Sequence, residues 1–273
     1  MRAISRRHIL QAGAATMAYS SLVWAVENRK PLGIQLYTLR DEMAKSVSGT
    51  FQQLARIGYS ELEFAGYFDH DAKQIRGLLD ENGLTAPSSH VPLQLMQSEP
   101  DKTIEFAVAV GHRYLVVPSL PQELRQSIDQ YRQTAETFNY LGEQCKAAGL
   151  KFAYHNHAFE FDAIDGEIPY DVLLSETDPD LVAMEMDVYW VAKAGRSPVH
   201  YIDEWPGRFP LWHIKDMLSD GSMVDVGDGE IDFPALFEHR DRAGLRHGFV
   251  EHDHPEDALQ TAERSFDFLA DKW

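Results

Sequence analysis

Three segments of the chain place ionisable side chains two residues apart, the spacing at which an extended strand turns both to one side. In Ala183-Met184-Glu185-Met186-Asp187, Glu185 and Asp187 share a face and the methionines take the other. Leu211-Trp212-His213-Ile214-Lys215 does the same for His213 and Lys215, and Gly248-Phe249-Val250-Glu251-His252-Asp253 for Glu251 and Asp253. Two carboxylates facing a protein interior are costly unless a cation or hydrogen bonds compensate them. Asp187, nearer the open end of its segment, is the better candidate for a metal ligand, while Glu185 reads equally as a deep ion-pair partner or a group of the site. His213 offers an imidazole, a common ligand of borderline divalent ions. Lys215 is placed to orient substrate hydroxyls or to stabilise the charge of a developing enediolate. A fourth segment, Tyr154-His155-Asn156-His157-Ala158-Phe159-Glu160, gathers two histidines and a glutamate within six residues, a concentration that points to a site.

Such groups act together only if the elements carrying them converge. Short apolar runs predict strands at Leu32–Tyr37, Glu61–Phe64, Thr85–His90, Tyr114–Pro118, Lys151–His155, Leu181–Asp187, Leu211–Lys215 and Gly248–Glu251. Amphipathic stretches between them, such as Val47–Ile57, Ala72–Asn82, Glu105–Gly111 and Gln130–Ala148, predict helices. Gly58, Gly83, Gly111, Gly149 and Gly244 each follow a helical stretch and precede a strand, where a left-handed cap is needed. Strand then helix, eight times over, predicts an α/β fold, the (β/α)8 barrel, in one domain. Chemistry in such a barrel sits at the C-terminal ends of the strands. Those ends carry Glu63, His90, His155, Asp187, His213, Lys215 and Glu251.

The 273 residues are 44% hydrophobic and 25% charged, which suits one packed domain. A formal charge of −18 opposes nucleic acid or an anionic membrane as partner and suits a protein that gathers a cation. Cys145 is the single cysteine, which excludes an intramolecular disulfide and a cysteine-based zinc site. Residues 1–25 read as an export signal of the twin-arginine type: Arg6-Arg7, then a short run of Ala, Gly, Met, Leu and Val ending near Trp24-Ala25. A domain over 26–273 and a periplasmic location are the expectations. Phosphorylated metabolites are mainly cytoplasmic, so export favours an unphosphorylated substrate. Gly227-Asp228-Gly229-Glu230-Ile231-Asp232-Phe233 reads as a turn and a helix entry.

Together with Gly33-Ile34-Gln35-Leu36-Tyr37-Thr38-Leu39-Arg40, these segments make residues 32 to 270 resemble the sugar phosphate isomerase/epimerase superfamily of xylose isomerase-like TIM barrels. The pattern around His155-Asn156-His157 is similar to the branch near inosose dehydratase and keto-glycoside-processing enzymes. The resemblance implies one divalent ion (manganese first, then cobalt, magnesium or zinc) held by Glu, Asp, His and Glu from four successive late strands. Asp187, His213 and Glu251 match three of those positions, and the fourth reads His155. His155 then either completes the metal set or serves as base while His157 or Glu160 completes it. The implied activity is isomerisation, epimerisation or elimination by enolisation beside the carbonyl of a sugar, keto-sugar or inosose. His155, Glu160, Glu251 and Lys215 are the catalytic candidates. His90, His157, Glu185 and Trp190 are the substrate contacts, with Phe68 as a second stacking surface. An endonuclease-IV-like phosphoesterase and a non-catalytic sugar-binding barrel are the competing readings. Relatives of this kind often pair as homodimers.

Overall fold

The computed structural model describes residues 31–273, so the expected export segment lies outside the described residues. Eight strands close into a parallel barrel: β1 (Gly33–Gln35), β2 (Glu61–Phe64), β3 (Thr85–His90), β4 (Tyr114–Val117), β5 (Lys151–His155), β6 (Val182–Asp187), β7 (Leu211–Ile214) and β8 (His247–Val250). Strand β8 returns beside β1, so no edge is left open. The strands fall where the apolar runs predict them, and helices fill the connections. Two helices begin earlier than their apolar periodicity suggests. One spans Pro100–Val110, because proline is tolerated in a first turn. The other spans Ile128–Ala147, because Ser127 caps it by accepting from the Gln130 N–H. Gly83 closes Ala72–Asn82 at φ 66°, the left-handed cap expected there.

Alternation divides each strand between two cores. Outward residues such as Tyr154, Met184, Met186, Trp212 and Ile214 pack against the helices in the main apolar cluster. Inward residues Val116, Ala153, Ala183, Leu211 and Phe249 form a small second cluster that plugs the barrel. Gly33 makes room for it, since a Cβ there would collide with the Phe249 ring. Above this plug, toward the C-terminal ends of the strands, the inward positions turn polar.

Candidate active site

The strand register sets the polar layer. Gln35 lies opposite Glu63, Glu63 opposite Ser88, His155 opposite Glu185, and Asp187 opposite His213. The buried side chains form two quartets whose ligand-type atoms lie within 4.8 Å of one another: His155, Asp187, His213 and Glu251 above, and Glu63, His90, Glu185 and His213 below. His213 belongs to both, with Nδ1 2.6 Å from Glu251 Oε2 and Nε2 2.5 Å from Glu63 Oε2.

In the upper quartet, Asp187 is fixed from three sides. Its Oδ1 caps the helix Val188–Lys193 by accepting from the Trp190 N–H at 3.0 Å. Asn156 accepts from the Asp187 N–H at 3.0 Å and donates to its carbonyl at 3.4 Å. Oδ2 is thereby left to face the site. His155 Nδ1 lies 3.0 Å from the Pro118 carbonyl, which only accepts, so the ring proton sits on Nδ1. Burial, then the neighbouring His213, His90 and Lys215, holds His155 far below the usual imidazole range. The ring is therefore neutral, and its Nε2 lone pair stands 3.2 Å from Asp187 Oδ2. Two acceptors facing each other call for a cation, which Lys215 supplies to Asp187 at 3.0 Å and a metal ion would supply to both. A histidine that donates its other ring N–H to a backbone carbonyl is the usual arrangement of a metal ligand. The residues thus fit a divalent ion.

Lys215 joins this group. Its Nζ lies 3.0 Å from Asp187 Oδ2, 2.7 Å from Glu251 Oε2 and 2.8 Å from Asp253 Oδ1. Burial would lower its pKa, but those three carboxylates outweigh it and raise it well above the ordinary lysine value. Glu251 is held low, against its own burial, by Lys215 and His213.

In the lower quartet, Glu63 accepts from Gln35 Nε2 at 2.8 Å and from Ser88 Oγ at 2.5 Å. His90 Nε2 lies 2.6 Å from Glu185 Oε2 and 3.3 Å from Glu63 Oε2. The two carboxylates divide the charge. Burial and the adjacent Glu63 raise the pKa of Glu185, while His90 and His213 hold Glu63 low against burial.

A cavity of about 510 Å³ opens above the quartets. Its polar side carries His90, His155, His157, Lys215, Glu251 and Asp253. Its other side is apolar, with Tyr37, Val91, Pro92, Leu95 and Pro118. His157 is held neutral, at about 3, by burial and then by His155 and Lys215, and its Nδ1 has no hydrogen-bond partner.

Six of the expected residues lie elsewhere than at the cavity wall, Asp187 and His213 among them, fully buried in the quartets beneath it. Glu185 is fully buried beneath it. Trp190 stands behind His157, with ring centroids 5.4 Å apart, and 5.9 Å from Lys215 Nζ. Phe68 packs at the margin of the outer core. Glu160, expected as a base or ligand, turns away from the barrel mouth because the 3₁₀ turn Phe159–Phe161 folds it back. There it accepts from the outward-facing Tyr154 hydroxyl at 2.5 Å and from the His157 N–H at 2.9 Å. Gln35 and Ser88 carry no charge and gave no signal of their own, while Glu63 stood out only as an ionisable group at a strand end.

The family described as xylose isomerase-like TIM barrel matches residues 51–272. An inosose dehydratase of Geobacillus thermodenitrificans is 23% identical over 268 aligned positions, covering 82% of this chain and 89% of that protein. Among solved structures, a sugar phosphate isomerase/epimerase from Parabacteroides distasonis superposes with a TM-score of 0.78 at 28% identity, over 88% of this chain and 93% of that one. A protein named IolI, solved with a zinc atom, superposes at 0.69 and 16% identity over 89% and 99%, a likeness of fold.

Proposed function

The chain is a sugar-processing enzyme of the xylose isomerase-like TIM barrel family, and we propose that it moves a proton at the carbon beside the keto group of an unphosphorylated keto-sugar, inosose or keto-glycoside. The observation that carries this reading is the pair of facing acceptors, His155 Nε2 and Asp187 Oδ2, beneath an open cavity. His155, Asp187, His213 and Glu251 would hold one divalent ion, and their ring nitrogens favour manganese, cobalt or zinc over magnesium. Such an ion supplies Lewis acidity to a carbonyl oxygen and its neighbouring hydroxyl, which makes the C–H between them more acidic.

The protein's own groups then divide the work. With the His155 lone pair turned to Asp187, His157 is the neutral imidazole on the cavity wall that can take the proton, and its lowered pKa makes it a weak base that needs a strongly acidified C–H. The Lys215 ammonium faces the same space and stabilises the oxygen on which charge develops. Protonated His157 returns its proton either to the adjacent carbon, which isomerises the sugar as the neighbouring hydroxyl passes its proton to the former carbonyl oxygen, or to a departing hydroxyl, which eliminates water. His90 is placed to hold a substrate hydroxyl.

The cavity favours a substrate without phosphate. Among the described residues Lys215, already tied to three carboxylates, is the sole Lys or Arg at its wall, and a dianion would meet Glu251 and Asp253. The same charge disfavours a phosphodiester. One polar and one apolar wall suit a sugar ring, which has hydroxyl edges and an apolar face. An unphosphorylated substrate also accords with export through residues 1–25, which we include in the proposal. The test is α-deuterium uptake in D2O, followed by NMR over a panel of keto-sugars, inososes and 3-keto-glycosides with metal-loaded protein. Uptake that disappears in Asp187→Ala supports enolisation. Sugar binding with no exchange from any panel member would leave a binding barrel instead.

A further inference from the structure

We propose that Glu63, His90, Glu185 and His213 form a second divalent-cation site beneath the first. The proposal is independent of which reaction runs above it. Glu63, Glu185 and His213 are fully buried and His90 nearly so. Each presents one nitrogen or oxygen to a common point. Two carboxylates and two imidazoles make a ligand set suited to zinc, manganese or cobalt.

Once His90 and His213 give up the protons they share with Glu185, Glu63 and Glu251, charge balance asks for more than one ion. Glu63, Glu185, Asp187, Glu251 and Asp253 form a contiguous buried or half-buried group whose one Lys or Arg partner among the described residues is Lys215. Five carboxylates against one ammonium leave four formal negative charges when the histidines are neutral. One divalent ion compensates half of that and two compensate all of it.

A second observation is the orphaned oxygen of Glu185. Its Oε2 contacts His90, but Oε1 is buried without a hydrogen-bond partner among the described residues. A protonated His90 satisfies only Oε2, and a buried acceptor left unmade is costly. A cation can take both oxygens.

The spacing needs little adjustment. Ligand atoms on a tetrahedral ion with bonds of about 2.0–2.1 Å lie roughly 3.3 Å apart. The His90–Glu63 and His213–Glu185 contacts are already at 3.3 Å. The 2.5 Å His213–Glu63 and 2.6 Å His90–Glu185 contacts must open by under 1 Å as their shared protons leave. His213 offers Nε2 to this site and Nδ1 to the upper one, so it would serve both only after releasing its last ring proton, which leaves one negative charge beyond the four that two ions compensate. His90 also lines the cavity, which gives an ion its route in.

The test is metal stoichiometry, by plasma mass spectrometry, on full-length protein saturated with manganese and freed of excess ion. Manganese electron paramagnetic resonance of the unmodified protein serves as a readout that no variant can spoil. Two ions per chain, a spin-coupled signal, and loss of one ion in His90→Gln and Glu185→Gln would support the second site. One ion that disappears in Asp187→Asn but persists in His90→Gln and Glu185→Gln would overturn it and leave the upper site standing. One ion that disappears in the lower variants but persists in Asp187→Asn would support the deep site and overturn the upper placement. No bound ion would overturn both.

Discussion

Asn156 and Glu160 flank the strand-end histidines, and each acts through a neighbour. Asn156 clamps both backbone groups of Asp187, so it sets the direction in which Asp187 Oδ2 points. Asn156→Ala should weaken divalent-ion binding by roughly 10–100-fold, the usual cost of losing an outer-shell partner, as read by titration calorimetry. An unchanged affinity would mean that the helix cap alone fixes Asp187. Glu160 is raised to about 7 by burial, against the pull of Tyr154 and the backbone N–H groups, and that value alone would suit a general base. Its position does not, because it reaches Tyr154 on the outer face and the backbone of His157. Glu160→Gln should therefore keep the deuterium-exchange rate within about threefold, whereas loss of a true base costs roughly 10²–10⁴-fold. His157→Gln should show the larger loss under the same assay.

Strand register joins residues that are distant in the chain, and this scale separates what the sequence revealed from what it hid. The period of two correctly grouped Glu185 with Asp187 and His213 with Lys215, because it depends only on each strand's own pleat. It could not pair His213 with Glu63, which lies 150 residues away across the closed barrel. It says nothing of Glu160, which stood out only by its closeness to His155 and His157. Regular alternation ends with β5, and the 3₁₀ turn that follows reverses the side chain. The Gly227–Phe233 segment was legible as a turn but not as a cradle. Its backbone N–H groups at Gly227, Gly229 and Ile231 all donate to the Asp216 carboxylate, next to Lys215. A Cβ on Gly229 would collide with that carboxylate. Gly229→Ala should accordingly destabilise the fold by roughly 1–3 kcal/mol, the usual range for an overpacked interior. For a chain of this size each kcal/mol lowers Tm by about 2–4 °C, so calorimetry can read the effect. A Tm within 1 °C of the parent would show that the loop gives way freely.

Taken whole, the molecule separates a charged upper half that carries the chemistry from an apolar half that carries stability, and their responses to acid are distinguishable. His112 lies outside the site, where β3, the loop at Tyr67 and the helix Pro100–Val110 meet. Its Nδ1 donates to the Ala86 carbonyl at 2.7 Å, so neutral His112 keeps Nε2 as an acceptor, 3.0 Å from the Tyr67 hydroxyl. Burial lowers its pKa to about 4. In the unfolded chain it titrates near 6.5, so between those values the unfolded state binds a proton that the folded state refuses. Its contribution is therefore fully present above pH 6.5 and is lost as pH falls through 4, a change of about 3 kcal/mol. The site histidines His90 and His213 are shifted the opposite way, held up by Glu63, Glu185 and Glu251 against their burial, so raw acid stability mixes both signs. Subtraction isolates the one. Urea midpoints of the parent and of His112→Gln, measured from pH 7.5 to 4 with chelator present, should converge as the pH falls. Parallel curves would mean that His112 takes up its proton without unfolding cost and that the Tyr67 contact reorganises around it.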